Sequence, residues 1–219
     1  MSPARPGSTD GHDSFRAGGI AFHKPTDATV GSISPPITIP EMTEAQRLRW
    51  RSGIVDIVVY GNSEAVIPSG GSEVTIGRGV VVSDKGLIVT HLAGGWEHGI
   101  NDWKIDAKFD DGSRVPLKIA EDERHGILVL QPVGGVDINY FFRLATTLYR
   151  AGDEVYVGTN DMSSPEHRFA IDKSRVILTD RSTATADSPV WQLEEQPSAD
   201  LLGGQPVMSA TGELLGITL

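Results

Sequence analysis

Four side chains able to bind a metal or move a proton crowd one stretch of the chain: His91, His98, Asp102 and Asp106. Their spacing decides against a metal. Two histidines seven residues apart match no recognised ligand pattern, and scattered His and Asp in a polar loop are ordinary solvated side chains, so no metal or other cofactor is expected. The second chemistry open to these residue types is acyl transfer. It needs a nucleophilic hydroxyl, an imidazole to take its proton, a carboxylate to orient that imidazole, and backbone N–H groups for the oxyanion. His91 is the candidate base, Ser198 and Ser209 offer hydroxyls, and Asp122 and Glu123 offer carboxylates. The run Leu201-Leu202-Gly203-Gly204-Gln205 is glycine-rich and suits a turn.

The elements that must position these residues are strands. GIVDIVVYG, residues 53–61, is a β-branched run bounded by glycines, and VTIGRGVVVSDKGLIVT reads as two strands joined at Ser83-Asp84-Lys85-Gly86. Further strands are expected in WKIDAKFDDG, RVPLKIAED, GILVLQPV, DEVYVGTN, RFAIDKSRVILTD, SPVWQLEE, QPVMSATG and ELLGITL, separated by turn-forming residues. A short helix is expected in TEAQRLRW, behind the N-cap residue Thr43. Many short strands in one chain imply a closed barrel or a sandwich, because closure removes exposed edges.

Composition bounds the partners. With 219 residues, 39% of them hydrophobic and 22% charged, the chain suits one large β domain or two small barrels. Nineteen basic against 29 acidic residues give a net charge of −10, which repels phosphate backbones and anionic lipid and favours basic partners. The chain has no cysteine, so disulfides, thiolate catalysis and cysteine zinc sites are excluded. It shows no signal peptide and no membrane-spanning run, and reads as cytoplasmic as written. Residues 1–42 read as a Gly/Pro/Ser-rich flexible extension with little to bury, and two further regions follow, 43–135 and 136–219.

Four ordered segments narrow the fold. GRGVVVSDKGLIVT resembles the HtrA-like serine protease pattern G-S-G-hydrophobic-S-x-x-G-hydrophobic-I-L-T, which leads to the catalytic histidine. KFDDGSRVPLKIAEDERHGILVLQP resembles the stretch ending in D-P-x-T-D-L-A-L-L-K, which delivers the catalytic aspartate. RAGDEVYVGTN resembles V-G-D-x-V-x-A-I-G-N, and LLGGQPVMSATGELLGITL resembles G-N-S-G-G-P-L-V-N-x-x-G-E-V-I-G-I. The resemblance spans about residues 53–219. It implies an all-β, trypsin-like fold of two six-stranded antiparallel barrels with the active site between them. The second barrel, region 136–219, ends early relative to the pattern.

Carried over residue by residue, the resemblance places the family's triad on residues that cannot act. The histidine falls three residues after Thr90, on Ala93; a two-residue deletion instead aligns His91-Leu92-Ala93 with the family's H-V-V and hands the role to His91. The aspartate falls on Gly126, with Asp122 and Glu123 upstream on a loop. Counting back from Pro206, the nucleophile falls on Gly203, and the resemblance makes Leu201, Leu202, Gly204 and Gln205 the candidate cleft and oxyanion-turn residues, with Gln205 replacing a glycine of that turn. Ser198 and Ser209 fall off that turn and read as loop or surface serines. The segment 94–103 is longer than the family's loop, and its Trp96 and Trp103 are candidate partner-contact aromatics.

Such a chain is expected to be a pseudoprotease, a non-catalytic peptide- or protein-binding or regulatory module whose partner could be an active homologue, with no nucleic-acid or membrane role. Two alternatives stand beside it: an endopeptidase with a rearranged site using His91, and a structural remnant or fragment. The resemblance implies a periplasmic or cell-envelope setting if a leader precedes this sequence.

Overall fold

The computed structural model describes residues 35–60, 73–91, 104–124, 127–147, 149–161, 168–180, 190–194 and 203–218. Apart from one helix, the regular elements among them are strands. Helix α1, Glu44–Arg51, starts where Thr43 predicts: the Thr43 side chain accepts from the Gln46 N–H while the Gln46 side chain accepts from the Thr43 N–H, a reciprocal capping box. The helix buries one residue, Trp50, whose indole meets Tyr156 edge-on at 5.4 Å between ring centres.

Six strands close into an antiparallel barrel in the order β1-β2-β3-β6-β5-β4: β1 (Ile54–Tyr60), β2 (Val74–Val81), β3 (Ile88–Thr90), β4 (Lys104–Phe109), β5 (Arg114–Arg124) and β6 (Ile127–Pro132). The period of two in IVDIVVY directs Val55, Ile57 and Val59 inward, where they pack on Ile76, Ile88, Ile105, Leu117, Leu128 and Leu130. The β2–β3 hairpin turns at Ser83–Gly86. Gly86 has φ +78°, a conformation glycine adopts without strain, and its N–H donates to Ser83 O at 3.1 Å.

The second group of strands is a five-stranded antiparallel sheet in the order β11-β10-β7-β8-β9: β7 (Glu154–Asp161), β8 (Arg168–Asp180), β9 (Val190–Leu193), β10 (Pro206–Met208) and β11 (Leu214–Ile217). Closure into a second six-stranded barrel is not seen among the described residues. One face of the sheet carries Val155, Val157, Val176, Val207 and Leu215. The other face turns Tyr156, Ile171, Met208 and Leu214 against Ile54 and Val80 on the outside of the barrel, together with Trp50 and Phe142. The barrel and the sheet therefore share a continuous apolar junction.

Residues 35–42 depart from the reading of the first 42 residues as an extension with little to bury. They form an extended strap across β7 and β8, with Ile39 buried in the junction. Composition misleads here because the strap is anchored by groups more than 100 residues away. Ile37 N–H donates to Asp153 Oδ1 at 2.8 Å, Glu154 N–H donates to Ile37 O at 2.9 Å, and Ile39 N–H donates to Glu154 Oε2 at 3.0 Å.

These contacts make the strap sensitive to acid. The Glu154 carboxyl is held below its ordinary value by the Ile39 N–H, with Arg175 adding to it. A carboxyl whose native pKa is depressed stabilises the fold fully above its unfolded value, about 4.3, and that contribution is lost as pH falls through the lower native value. Hydrogen exchange measured over an acid series should show the Ile39 amide losing protection before the amides within β7. Equal loss at both positions would contradict this.

Candidate functional site

At one end of the junction between barrel and sheet the apolar contacts give way to a polar cluster. Strand β2 carries Arg78 on the outer face of the barrel, directly across from Asp56 on β1. Arg78 is 5% exposed. Its Nε donates to Asp56 Oδ1 at 3.2 Å, and its Nη1 donates to Thr159 O on β7 and to Gln205 Oε1, each at 3.4 Å. Burial pushes the guanidinium pKa down and the Asp56 carboxylate opposes that shift. Arginine stays charged in such a setting, so a cation is buried between the barrel and the sheet, tied to both.

The same strand holds the glycine turn through its backbone. Arg78 N–H donates to Gly203 O at 3.0 Å, and the Thr90 hydroxyl at the end of β3 donates to Arg78 O. The turn leads into β10 and is fastened on its other side by Thr218: Gly204 N–H donates to Thr218 O at 2.9 Å and Gln205 N–H to Thr218 Oγ1 at 3.1 Å. The N–H groups of Gly204 and Gln205 are thus already donating inside the protein.

The structure brings His91 and Gly203 together. A side-chain Cβ built on Gly203 would lie 2.5 Å from His91 Nδ1 and 3.0 Å from His91 O. The imidazole therefore fills the volume that a nucleophilic side chain at 203 would need. Among the described residues the buried Nδ1 has no hydrogen-bond partner. In a working triad that nitrogen donates to the orienting carboxylate while the other ring nitrogen faces the hydroxyl; here Nδ1 is the ring atom facing position 203.

The remaining candidates divide. Gln205 is buried at 4% exposure and lies against Arg78, and Gly204 packs on the Arg78 carbonyl. Ala93, Trp96, Trp103, Gly126, Ser198, Leu201 and Leu202 lie outside the described residues, as do His98 and Asp102. Asp122 and Glu123 stand within β5, not on a loop: the strand continues to Arg124 because its pairing with β6 resumes after irregularities at 119–121 and 121–124. Ser209, read as a loop or surface serine, is in a loop but not exposed. It is 4% exposed in the β10–β11 turn, where its Oγ accepts from Thr211 N–H and Glu213 N–H. Asp106 is on β4, paired with Val58 and Pro116, and its carboxyl is raised by desolvation. Among the described residues no three His, Asp or Glu side chains gather into a metal-binding group.

The residue that sequence reasoning passed over is Arg78. It stands between Gly77 and Gly79 where the quoted protease pattern has serine, and its partner Gln205 stands where that pattern has glycine. A long charged residue between two glycines in a strand facing apolar neighbours is a signal that an internal counter-charge must exist. No family model matches the chain, and no curated protein matches it.

Proposed function

We propose that this chain is a non-catalytic member of the HtrA-like, trypsin-type serine proteases, built as a double β-barrel, and that it acts as a peptide- or protein-binding module. The single observation that carries the loss of catalysis is the contact between His91 and Gly203. Position 203 has no hydroxyl, and the imidazole that would have activated one occupies its place with Nδ1 unpartnered among the described residues. The closed barrel and the five-stranded sheet are compatible with the fold, and the apolar Val155 face of the sheet is the face a second barrel would enclose. Two departures from the protease pattern, Arg78 and Gln205, contact one another, which supports a site rebuilt as a structural junction. The acidic net charge favours basic partners. No described helix is long and apolar enough to cross a membrane.

Fluorescently labelled, unfolded casein tests both halves of the reading. Its anisotropy should rise on adding the protein and stay high, with no fragments formed, and an active-site serine probe should leave the protein unlabelled. Steady proteolysis or stoichiometric labelling would overturn the proposal.

Restoring the hydroxyl alone should not restore activity. In Gly203→Ser the new Cβ must displace either His91 or the turn, because the contact at 2.5 Å is with a ring atom and the one at 3.0 Å is with backbone. Probe labelling of this variant is expected to match the buffer blank. Removing one triad member already eliminates most of the rate in a working protease, and the residues of a triad act as a unit.

A further inference from the structure

The strap formed by Pro35-Pro36-Ile37-Thr38-Ile39-Pro40-Glu41-Met42 is held almost as a bound peptide would be. On the β7–β8 pair, Glu154 stands across from Arg175 and Tyr156 across from Lys173, so these four side chains share one face. Three of them, Glu154, Tyr156 and Lys173, read the strap through its main chain. Glu154 Oε2 accepts from Ile39 N–H at 3.0 Å, Lys173 Nζ donates to Ile39 O at 3.1 Å, and the Tyr156 hydroxyl donates to Pro40 O at 2.5 Å. At the strap's start, Ile37 N–H and O are both engaged, by Asp153 and by Glu154 N–H. Side-chain selection comes from Ile39, at 2% exposure, and from Glu41, whose carboxylate meets Lys173 Nζ at 2.5 Å.

We propose that this face of β7–β8 is a peptide-docking groove which the chain's own residues 35–42 occupy in cis. In trans it would take an extended segment of the same chemistry, with two aliphatic residues two positions apart, flanked by prolines and followed by an acidic residue. Extended proline-flanked segments lose little entropy on docking and are recognised through exposed main-chain groups and alternate side chains. Among the described residues only one of the strap's bonds to the sheet joins main chain to main chain. The others depend on side chains, and the Glu41–Lys173 pair is exposed enough that such a pair adds little. A strap held this way opens without global unfolding. The inference stands apart from the protease reading, since it uses none of residues 78, 91, 203 or 205, and either can fail alone.

Two measurements on the full chain test it. In native hydrogen exchange, the Ile37 and Ile39 amides should exchange at least about 100-fold faster than the Val157 amide inside β7, the expectation for a sub-global opening. In a titration, a fluorescein-labelled peptide of sequence PPITIPEM should bind weakly to the native chain, because a tethered competitor acts at about millimolar effective concentration. Strap-side changes leave the groove intact. Ile39→Asp should tighten peptide binding about tenfold or more, and Glu41→Lys about two- to fivefold, the range of an exposed ion pair. Adding Lys173→Glu to either variant should weaken binding again. If Ile39→Asp does not fold, Glu41→Lys and the exchange rates decide. Exchange at Ile37 and Ile39 as slow as at Val157, or no saturable binding to a folded strap variant, would overturn the proposal. Dimerisation of the variants in place of peptide binding would put a second copy in the groove and overturn it equally.

Discussion

Gly204→Ala is expected to destabilise the protein by roughly 2–6 kcal/mol, combining about 1–3 for a strained backbone with about 1–3 for hydrogen bonds lost nearby. Gly204 has φ +85°, and a Cβ there would lie 2.1 Å from Arg78 O and 3.1 Å from His91 N. Both atoms belong to backbone in the barrel wall, so neither can swing aside as a side-chain tip would. Relief requires lifting the turn from β2, which breaks Arg78 N–H to Gly203 O and strains Gly204 N–H to Thr218 O. For a chain of this size the melting temperature should fall by about 10 °C. A thermal melt followed by near-ultraviolet circular dichroism reads the effect, and a fall of less than about 3 °C would show that the turn yields without disturbing the barrel.

The contrast between Gly204 and its surroundings shows what a sequence reveals of this fold. Several strands are legible as runs rich in β-branched or aromatic residues ended by glycine or another turn former. Ile54–Tyr60 and the hairpin at Ser83–Gly86 are plain cases, and Thr43 with Gln46 marked the helix start equally well. These are local signals. The readings that failed needed distant partners. Residues 35–42 looked unburiable until Asp153, Glu154, Tyr156 and Lys173 supplied their contacts. Ser209, read as a loop or surface serine, does lie in a loop, but its burial depends on a turn that folds back through Glu213. Asp122 and Glu123 looked like loop residues because the polar run AEDER shows no alternation, yet pairing with β6 carries the strand through them. The candidate site divides in the same way. That position 203 carries no nucleophile could be counted from Pro206, but the approach of His91 to Gly203, and of Arg78 to Gln205 across 127 positions, has no local trace.

Arg78→Ala should cost about 3 kcal/mol, through a different route from Gly204→Ala. Breaking a buried ion pair by deleting one partner costs roughly 3–5 kcal/mol, chiefly because the surviving charge is stranded. Asp56 is 36% exposed, so water screens it and the lower end applies. The main chain at 78 is unchanged and still donates to Gly203 O, so the turn should persist while the tie between Asp56 on β1, Thr159 on β7 and Gln205 is lost. Urea unfolding should show a lower midpoint with an unchanged slope, since the surface exposed on unfolding is nearly the same. Adding Asp56→Ala should then cost less than it does in the native chain, by about 1 kcal/mol, because the carboxylate it removes no longer has its cation. Strict additivity would mean that the pair contributes nothing to the junction. In that case Arg78 would be held there by its contacts with Thr159 and Gln205, the two that join the barrel to the sheet.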